Sequence, residues 1–320
     1  MMEISLLLNS LDDYLSLGKS GLSTLKQLCI GLYEAGTVNL QEVCSRFKSG
    51  KFASNTRKVE RFFKDKRLED SEVIRFIVDC LFEKDAQIML AIDRTDWSFG
   101  KTRHNLLIVS VLYGKTAVPL ITLSLEKKGN SNCDQRAQLL DKILLAIPRH
   151  RIKAILGDRE FMGEEWFKLL KERHVPFVMR IRNNITIAQG DFVGPVCDFP
   201  TTKQPTEHGK VQIGPRCLEL STTYSKGDLV TVISDNVRDP LGLYKQRWGI
   251  ETGFKCLKSN GFNLEDTHLR HPERIKMLVQ ICAIAMSLSF VAVRADQQKI
   301  YKKNMDIAIN PFSNKLNTSF

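Results

Sequence analysis

Apolar residues recur at helical spacing over the first quarter of the chain. From about Ile4 to Leu81 they repeat every three to four residues, as in LSTLKQLCIGLYEAG and SEVIRFIVDCLF. One face of an amphipathic helix recurs at this period, so a series of short helices accounts for the pattern. The spacing predicts a helical N-terminal region over residues 1–86.

The pattern changes to that of strands at Gln87. QIMLAID, NLLIVSVLY and TAVPLITLSLE are three apolar runs separated by short polar turns, which predicts consecutive antiparallel strands. The following runs alternate in type: CDQRAQLLDKILLAI has helical spacing, KAILGD is typical of a buried strand, EEWFKLLKERH is helical and PFVMRIR is a fifth strand. We therefore predict that residues 87–183 form the first part of an α/β core.

Residues 184–236 differ from the elements on either side. They are rich in Gly, Pro and Thr and contain short alternating runs such as CLELSTTY and LVTVISD, which predicts a β-rich insertion. Helical spacing then returns, with Asp239 as the expected N-cap, Pro240 at the first helical position and Gly261 at the end of one long helix. Residues 237–295 are therefore the predicted second part of the core.

The order of these elements predicts the fold class. Strand, strand, strand, helix, strand, helix, strand, insertion and helix is the order of an RNase H-like fold. In this order the first and fourth strands are neighbours. The expected architecture is α/β, with an RNase H-like core, a β-rich insertion and a preceding helical region.

One later apolar stretch is long enough to resemble a membrane span. Met277 to Val293 contains 17 residues without a charge. A membrane-spanning helix needs about 20 apolar residues, and this stretch includes Gln280, Ser287 and Ser289. We therefore predict a helix buried in a protein core and no membrane association.

Charge indicates a class of partner. The chain holds 47 basic and 36 acidic residues, a net charge of +11 and a pI of about 9.2. This surplus favours a polyanionic partner. It is concentrated in two blocks, since residues 87–183 hold 17 basic against 10 acidic side chains and residues 240–320 hold 12 against 6. Packed together, the blocks would form one positive surface; a well-solvated exterior is the alternative.

A smaller basic stretch lies within the helical region. RKVERFFKDKRLE carries six basic residues between Arg57 and Arg67, and Glu60 and Asp65 offset part of this charge. A solvated helix face and a DNA-contacting face both fit the stretch.

Cysteine usage and the N-terminus bear on the cellular compartment. The eight cysteines show no C-x-x-C motif and no compact spacing, which is typical of reduced, mostly buried thiols in a cytosolic protein. MMEISLLLNSLDDYLSL has no basic start and soon turns acidic, so we do not expect a signal peptide. The pair His268 and His271 has no cysteine partner at zinc spacing, and we do not expect it to bind a metal. We expect a cytoplasmic protein.

Two aspartates at the ends of apolar runs are candidates for a metal site. Phosphodiester chemistry commonly uses two Mg²⁺ ions about 4 Å apart, and such hard cations prefer oxygen ligands. Asp93 ends QIMLAID and Asp158 ends KAILGD, so neighbouring strands would present both carboxylates side by side. A role in a turn or cap is the alternative for each. Asp96 is a less favoured candidate, with a cap or a partner for Arg94 as its alternative role.

A third carboxylate lies on the polar edge of the predicted helix. At about 100° per residue, one arc of about 60° contains Tyr244, Arg247, Glu251 and Lys258. An apolar stripe adjoins this arc, so the helix can pack on the sheet while Glu251 leans over the strand ends. Trp248 lies near the arc, and two roles stay open for it: stacking on an unpaired base and packing in the core.

Three motifs resemble those of a known family. Tyr244-x-x-Arg247-x-x-x-Glu251-x-x-x-x-x-x-Lys258 is similar to the Tyr-Arg-Glu-Lys signature of bacterial DDE transposases of the insertion sequence four family. AIDRTDW and GDREFMG resemble the family's segments around its first and second catalytic aspartates. The resemblance runs from about Leu22 to Val293, with the motifs in the family's order.

The resemblance implies a DDE triad and its cofactor. The catalytic residues would be Asp93, Asp158 and Glu251, which would bind two Mg²⁺ ions, with Mn²⁺ as a substitute. The implied activity is cut-and-paste transposition, in which DNA strands are cleaved at transposon ends and transferred to a target. The implied fold is RNase H-like with a β-rich insertion, in agreement with the pattern of residues 184–236.

The resemblance also implies the partners. Phosphates of the transposon ends would contact Tyr244, Arg247 and Lys258, and the helical N-terminal region would help to bind the terminal inverted repeats. Family members act as homodimers on paired ends of double-stranded DNA, which implies a cytoplasmic, nucleoid-associated bacterial protein.

Residues 296–320 depart from the family pattern. The family continues in a basic helix containing aromatic residues, whereas KIYKKNMDIAINPFSNKLNTSF has no helical periodicity after Asp306. We interpret these residues as a short tail, with truncation as the hypothesis.

Two other functions stay open. A catalytically silent DNA-binding relic or inhibitor would keep the fold, and the tail favours this hypothesis. A host nuclease of RNase H-like fold would explain the triad but not the Tyr-Arg-Glu-Lys spacing.

Overall fold

The computed structural model describes the backbone of residues 2–100, 102–125, 129–259 and 261–309. Over residues 2–81 the chain forms the helices that the apolar spacing predicts: α1 (Met2–Tyr14), α2 (Lys19–Ala35), α3 (Leu40–Ser45), α4 (Phe52–Asp65) and α5 (Asp70–Leu81). Local signals mark their ends. The Asn39 side chain accepts a hydrogen bond from the N–H of Gln41 at the start of α3. Gly36 follows α2 with a φ of 63°, which favours glycine.

One large sheet and five further helices form the rest of the described chain. The strands are β1 (Ile88–Phe99), β2 (Thr102–Tyr113), β3 (Thr116–Ser124), β4 (Ile152–Gly157), β5 (Phe177–Arg180), β6 (Thr186–Gln189), β7 (Phe192–Pro195), β8 (Thr206–Ile213), β9 (Arg216–Ser225) and β10 (Asp228–Asp235). The helices are α6 (Cys133–Ala146), α7 (Glu164–Glu172), α8 (Pro240–Gln246), α9 (Trp248–Lys258) and α10 (Pro272–Ile309). The protein is thus a mixed α/β protein.

The sheet has the order β3-β2-β1-β4-β5-β10-β9-β8-β6-β7. As predicted, β1, β2 and β3 are consecutive antiparallel strands. β4 pairs with β1 in parallel, and β5 pairs with β4 in parallel. The predicted adjacency of the first and fourth strands is therefore confirmed.

The strands of the β-rich segment extend the same sheet. β10 pairs antiparallel with β5, and β9 and β8 follow in antiparallel order. The β-rich character predicted for residues 184–236 is confirmed, and these strands lengthen the sheet instead of forming a separate one.

Different helices cover the two faces of the sheet. Alternate residues of a strand point to opposite faces, so Leu90 of β1 belongs to the larger hydrophobic core with the N-terminal helices, α6, α7 and α10. Ala91 belongs to a smaller core, which it shares with Leu243 of α8 and Ile250 of α9. Odd-numbered residues of β1 therefore face α8 and α9 at this level of the sheet.

The predicted long helix after the β-rich segment is two helices. The Asp239 side chain accepts a hydrogen bond from the N–H of Gly242 and Pro240 begins α8, as predicted. α8 ends at Gln246, however, and α9 begins at Trp248 and ends at Lys258, three residues before Gly261. The prediction of one continuous helix is wrong because the chain makes a turn at Arg247, where that side chain bonds to the sheet.

α10 is the buried helix that the apolar stretch predicts. Within the described residues, one segment, Pro272–Ala295, is long and apolar enough to cross a membrane, and 72% of its most apolar window is buried in the protein. It packs against α2, α5 and β3. The helix passes its predicted end near Val293 and continues to Ile309, through residues such as Ala, Gln and Lys that favour helix. The end of the predicted tail, residues 310–320, lies outside the described residues.

The cysteines are less buried than the sequence indicated. All eight are free, but only Cys29, Cys44 and Cys282 are buried. Cys197 and Cys217 are exposed; Cys197 lies in the short turn Val196–Asp198 and Cys217 near the start of β9. The prediction of mostly buried thiols is therefore wrong.

Candidate active site

Two of the predicted acidic residues lie at one level of adjacent strands. The parallel pairing of β1 and β4 ends at Ala91 and Leu156. Asp93 and Asp158 each lie two residues beyond this pair, and alternation along β1 places Asp93 on the face covered by α8 and α9. Ala154 and Leu156 of β4 face the same smaller core, and Asp158 follows at the next alternate position, just after the strand ends.

Asp93 lies within its strand, whereas the sequence predicted that it ends the strand. β1 continues to Phe99 because its pairing with β2 continues to Thr102. The pairing with β4 is what stops, since β4 ends at Gly157. Asp93 therefore lies where β1 loses one of its two neighbouring strands.

Burial changes the acidity of Asp93. The side chain is 18% exposed, and burial raises the pKa of Asp93 to about 6. The charge of Asp158 contributes to this increase, whereas Arg247 and the N–H of Arg94 oppose it. The buried carboxylate therefore gains from a cation placed beside it.

Arg247 joins the sheet to α9. Its Nη1 donates to Asp93 Oδ2 at 3.1 Å, and its Nη2 lies 3.7 Å from Glu251 Oε1. Its guanidinium also lies over the Tyr244 ring, 5.8 Å from the ring centroid. The predicted neighbours Tyr244, Arg247 and Glu251 are thus brought together beside Asp93.

Two glycines allow α9 to lie this close to the sheet. A Cβ on Gly253 would lie 2.4 Å from the carbonyl oxygen of Ala117, and a Cβ on Gly249 would lie 3.0 Å from that of Thr116. Both carbonyls belong to the start of β3. Since any larger side chain would push the helix outwards, the glycines determine how near Glu251 lies to the strand ends.

Trp248 begins α9 and points away from the core. Its side chain is 63% exposed, so the alternative that it packs in the core is wrong. Tyr244 is the opposite case: burial raises the pKa of its hydroxyl, an effect that the charge of Arg247 partly offsets.

Lys258 lies two turns beyond Glu251, about 10 Å along α9. Its Nζ donates to the carbonyl oxygen of Asp96 at 2.9 Å and lies 3.4 Å from Glu265 Oε1. It also lies 6.0 Å from the centroid of the Trp97 ring. Lys258 therefore faces the extension of β1 beyond Asp93 and is not in contact with Arg247.

Asp96, the less favoured candidate, does not pair with Arg94, the partner suggested by the sequence. It forms an ion pair with Arg103 across the β1–β2 pair. Arg94 pairs with Glu160 instead, at 3.1 Å. The two side chains are separated because Asp96 lies five residues beyond the end of the β4 pairing, whereas Arg94 faces the segment that follows β4.

The acidic residues offer the oxygen ligands that Mg²⁺ prefers. Asp93 and Glu251 are reachable from solvent, with 18% and 39% of their side chains exposed. Among the residues that the structure describes, no three His, Cys, Asp or Glu side chains already form a group suited to a metal ion. The Arg247 guanidinium lies between Asp93 and Glu251. The chemistry of these donors suits a divalent cation, and in this structure Arg247 pairs with two of them.

A groove of about 800 Å³ continues from this site between α8 and the edge of the β-rich segment. Arg247 and Glu251 contribute to its wall. Its other polar and aromatic residues include Arg180, Lys203, Tyr224, Lys245 and Trp248. Cations for phosphates and aromatic surfaces for bases are therefore present in one concave surface.

The basic stretch of the N-terminal region lies on α4 and just after it. The helix buries Val59, Phe62 and Phe63 against its neighbours. Its exposed side carries Arg57, Lys58, Arg61 and Lys64. These cations are exposed to solvent. Their exposure is compatible with a solvated helix face and with a DNA-contacting face.

The sequence profile of the transposase DDE domain family matches residues 85–288, more than half of the chain. The chain belongs to this DDE transposase family. The matched range of the DDE domain contains all three candidate acidic residues. No curated protein matches the sequence.

Solved structures resemble the DDE transposase chain at low sequence identity. The piggyBac transposase of a synaptic complex with hairpin DNA is 14% identical, with a TM-score of 0.45, and the match covers 86% of this chain and 66% of that one. Endonuclease V from Bacillus subtilis is 11% identical, with a TM-score of 0.30 and coverages of 76% and 96%. The NurA nuclease from Sulfolobus solfataricus is 10% identical, with a TM-score of 0.26 and coverages of 79% and 95%. The chain thus spans slightly less than two thirds of the piggyBac chain.

Two features of this DDE domain are absent from the sequence predictions. One is the close approach of Gly249 and Gly253 to β3, for which the spacing of four residues between two glycines on a helix is a usable signal. The other is the ion pair between Arg94 and Glu160, whose partners are 66 residues apart and share no local pattern.

Proposed function

We propose that this chain is a transposase of the insertion sequence four type, which binds terminal inverted repeats and catalyses DNA strand cleavage and strand transfer. The main support is that Asp93 and Asp158 each lie two residues beyond the last pair of the parallel strands β1 and β4, and that Arg247 contacts both Asp93 and Glu251. The match to the transposase DDE domain supports the same reaction class. We further propose that β1 to β5, with the helices beside them, form an RNase H-like core.

The three acidic residues are the proposed catalytic site. We assign the binding of two Mg²⁺ ions, or Mn²⁺ in their place, to Asp93, Asp158 and Glu251. When bound, the metal ions would activate the attacking oxygen and stabilise the leaving 3′-oxygen. Burial of Asp93 supports this assignment, because a buried carboxylate next to a second carboxylate is stabilised by a cation.

Arg247 is assigned two successive partners. Without DNA its guanidinium neutralises Asp93 and faces Glu251. In the complex it would turn to a phosphate oxygen of the transposon end, which a guanidinium binds through two parallel hydrogen bonds. The stacked Tyr244 ring limits the directions in which the guanidinium can turn.

The groove is the proposed path of the DNA strand. Lys245 and Arg180 provide positive charge along it. Trp248 is exposed at its edge, which supports a role in stacking on an unpaired base. Lys258 would contact a phosphate on the other side of the metal site. We assign binding of the inverted repeats to the exposed cations of α4, and propose that two copies act on paired ends.

The decisive experiment is cleavage of a duplex that carries the inverted repeats flanking the gene. We expect Mg²⁺-dependent nicking at the repeat ends by the parent chain and its loss in Asp93→Asn, Asp158→Asn and Glu251→Gln, with end binding retained. Asp96→Asn is the matched control, because Asp96 lies on the same strand but pairs with Arg103. It should cleave normally.

Other outcomes would identify the alternatives. End binding by the parent chain without cleavage would favour a silent relic or inhibitor. Cleavage of any duplex, with no preference for the repeats, would favour a nuclease. Loss of end binding in the Asp93 and Asp158 variants would indicate that these residues act in folding.

A further inference from the structure

We propose that the ion pair between Arg94 and Glu160 positions the carboxylates of Asp93 and Asp158 for metal binding. The inference rests on the proposed function, since it concerns the same metal site. It assigns a role to two residues that follow the proposed ligands Asp93 and Asp158 by one and two positions.

Each aspartate is held by a backbone N–H of one member of the pair. The N–H of Arg94 donates to Asp93 Oδ1 at 2.7 Å. The N–H of Glu160 donates to Asp158 Oδ1 at 2.8 Å. In each case this bond fixes one carboxylate oxygen; the second oxygen of Asp93 accepts from Arg247.

The side chains of the same two residues are bonded to each other. Arg94 Nε donates to Glu160 Oε2 at 3.1 Å and to Oε1 at 3.3 Å. The pair therefore ties the backbone of β1 beside Asp93 to the segment after β4 that carries Asp158. Because β4 has ended there, no strand pairing between β1 and β4 does this.

Further hydrogen bonds hold the pair in one arrangement. Arg94 Nη1 donates to Asn105 Oδ1 at 3.1 Å. The N–H of Ser131 donates to Glu160 Oε1 at 3.3 Å, and Arg136 Nη2 donates to the carbonyl oxygen of Glu160 at 3.2 Å. With side chains only 22% and 14% exposed, Arg94 and Glu160 have few other rotamers available.

The effect of the pair is geometric more than electrostatic. Its two charges cancel, so it adds little net potential at Asp93 and Asp158. Two metal ions about 4 Å apart need carboxylate oxygens in fixed positions, and groups that orient metal ligands commonly change the metal affinity by tenfold or more when removed. Loss of the pair should therefore weaken metal binding before DNA is added.

The test is the affinity of the full chain for Mn²⁺ without DNA, measured by electron paramagnetic resonance of the free ion. Glu160→Gln keeps the size of the side chain and removes its charge, and Arg94→Met removes the guanidinium. We expect each to weaken Mn²⁺ binding about tenfold. The double variant should bind no more weakly than either single variant, because the same link is broken in all three.

Asp70→Asn is the matched control for lost stability. The Asp70 side chain is 10% exposed and pairs with Lys142 and Lys276, each at 2.8 Å, in the helical layer formed by α5, α6 and α10. This variant should lower the melting temperature and leave the Mn²⁺ affinity unchanged. If it weakened Mn²⁺ binding as much as Glu160→Gln does, stability alone would explain the effect and the positioning role would be overturned.

Asp93→Asn separates this inference from the proposed function. If it leaves Mn²⁺ binding unchanged, the proposed metal site is wrong and the positioning role fails with it. If it abolishes binding while Glu160→Gln and Arg94→Met match the parent, only the positioning role is overturned. Arg94→Lys keeps the charge without the planar guanidinium. It replaces Arg94→Met as the test variant if melting curves show that Arg94→Met does not fold. A Mn²⁺ affinity of Arg94→Lys equal to that of the parent would then count against the proposal.

Discussion

Arg247 Nη1 lies 3.1 Å from Asp93 Oδ2, although the two residues are 154 positions apart in the chain. The contact joins the short connection between α8 and α9 to the middle of β1. It occupies Asp93 Oδ2, so a divalent cation at the proposed site would compete with the guanidinium for this carboxylate.

Removal of the Arg247 guanidinium should change metal affinity and DNA cleavage in opposite directions. We expect Arg247→Met to bind Mn²⁺ about fivefold more tightly without DNA, which corresponds to about 1 kcal/mol for the lost ion pair. Cleavage should fall, because the proposed phosphate contact is lost with it. Calorimetric titration with Mn²⁺ measures the first effect, and nicking of end DNA measures the second.

Lys245→Met is the control for this prediction, since Lys245 is exposed in the same groove. It should leave the Mn²⁺ affinity unchanged. An unchanged affinity in Arg247→Met as well would contradict competition for Asp93.

The close approach of α9 to β3 should make Gly253 intolerant of substitution. A Cβ there would lie 2.4 Å from the carbonyl oxygen of Ala117, and overpacking of this kind typically costs about 1–3 kcal/mol of the free energy of unfolding. Gly253→Ala should also move Glu251 and reduce cleavage. Urea denaturation and the nicking assay measure the two effects.

Gly18→Ala is the matched control, because a Cβ at Gly18 meets nothing within 4 Å and its φ is −63°. Equal unfolding free energies for the two alanine variants would mean that α9 has room to move.

Lys258 should contribute one phosphate contact. Each neutralised phosphate adds about 0.9 to the slope of log affinity against log salt concentration for duplex DNA. Lys258→Ala should therefore weaken binding to cleaved ends and reduce this slope by roughly one. Fluorescence anisotropy over a series of salt concentrations measures it.

Lys255→Ala serves as the comparison on the same helix, since Lys255 is exposed. If Lys258→Ala has the slope of the parent and cleaves normally, its contacts with Asp96 and Glu265 serve the fold alone.

Trp248 should bind unpaired bases in preference to paired ones. Stacking of a base on an aromatic side chain contributes about 1–3 kcal/mol, and 63% of this side chain is exposed. Trp248→Ala should lose affinity of that size for ends with an unpaired terminal base, and less for fully paired duplex. Tyr33→Ala is the control, because Tyr33 is 59% exposed on α2, in the helical N-terminal region; equal losses in the two variants would argue against stacking.

Thiol reactivity should follow burial. Burial raises the pKa of Cys29 to about 12 and also raises the pKa of Cys282, so both thiols stay protonated and unreactive in the folded protein. Cys197 and Cys217 are exposed and should be alkylated first by N-ethylmaleimide. Mass spectrometry of peptides after brief labelling gives the order, and early labelling of Cys29 would show that α2 and α10 are less tightly packed than described.

Much of this architecture is readable from local pattern. The helical region, the three antiparallel strands and the adjacency of β1 and β4 follow from apolar period and element order, because burial of one face imposes that period on each element. The candidate pair Asp93 and Asp158 follows for the same reason: a carboxylate directly after a buried run lies at the edge of a core. Asp239 and Pro240 mark the start of α8 because a cap acts within one turn.

Other features depend on residues that meet only in the folded chain. A helical wheel assumes a continuous helix, and α8 and α9 are separated at Arg247, whose partner Asp93 lies 154 positions away. The exposure of Trp248 depends on which side chains pack beside it, and its position on a helical wheel does not specify these neighbours. The bonds of Arg94 with Glu160, and of Lys258 with Asp96, join distant segments.

The physical reason is the range of the interactions. Periodicity, capping and turn preference act within a few residues, so sequence alone determines which elements form and which carboxylates end near a sheet edge. Only the tertiary structure determines how closely α9 approaches β3 through Gly253, and therefore whether Arg247 reaches both Asp93 and Glu251. That distance is set by packing between surfaces remote in the chain.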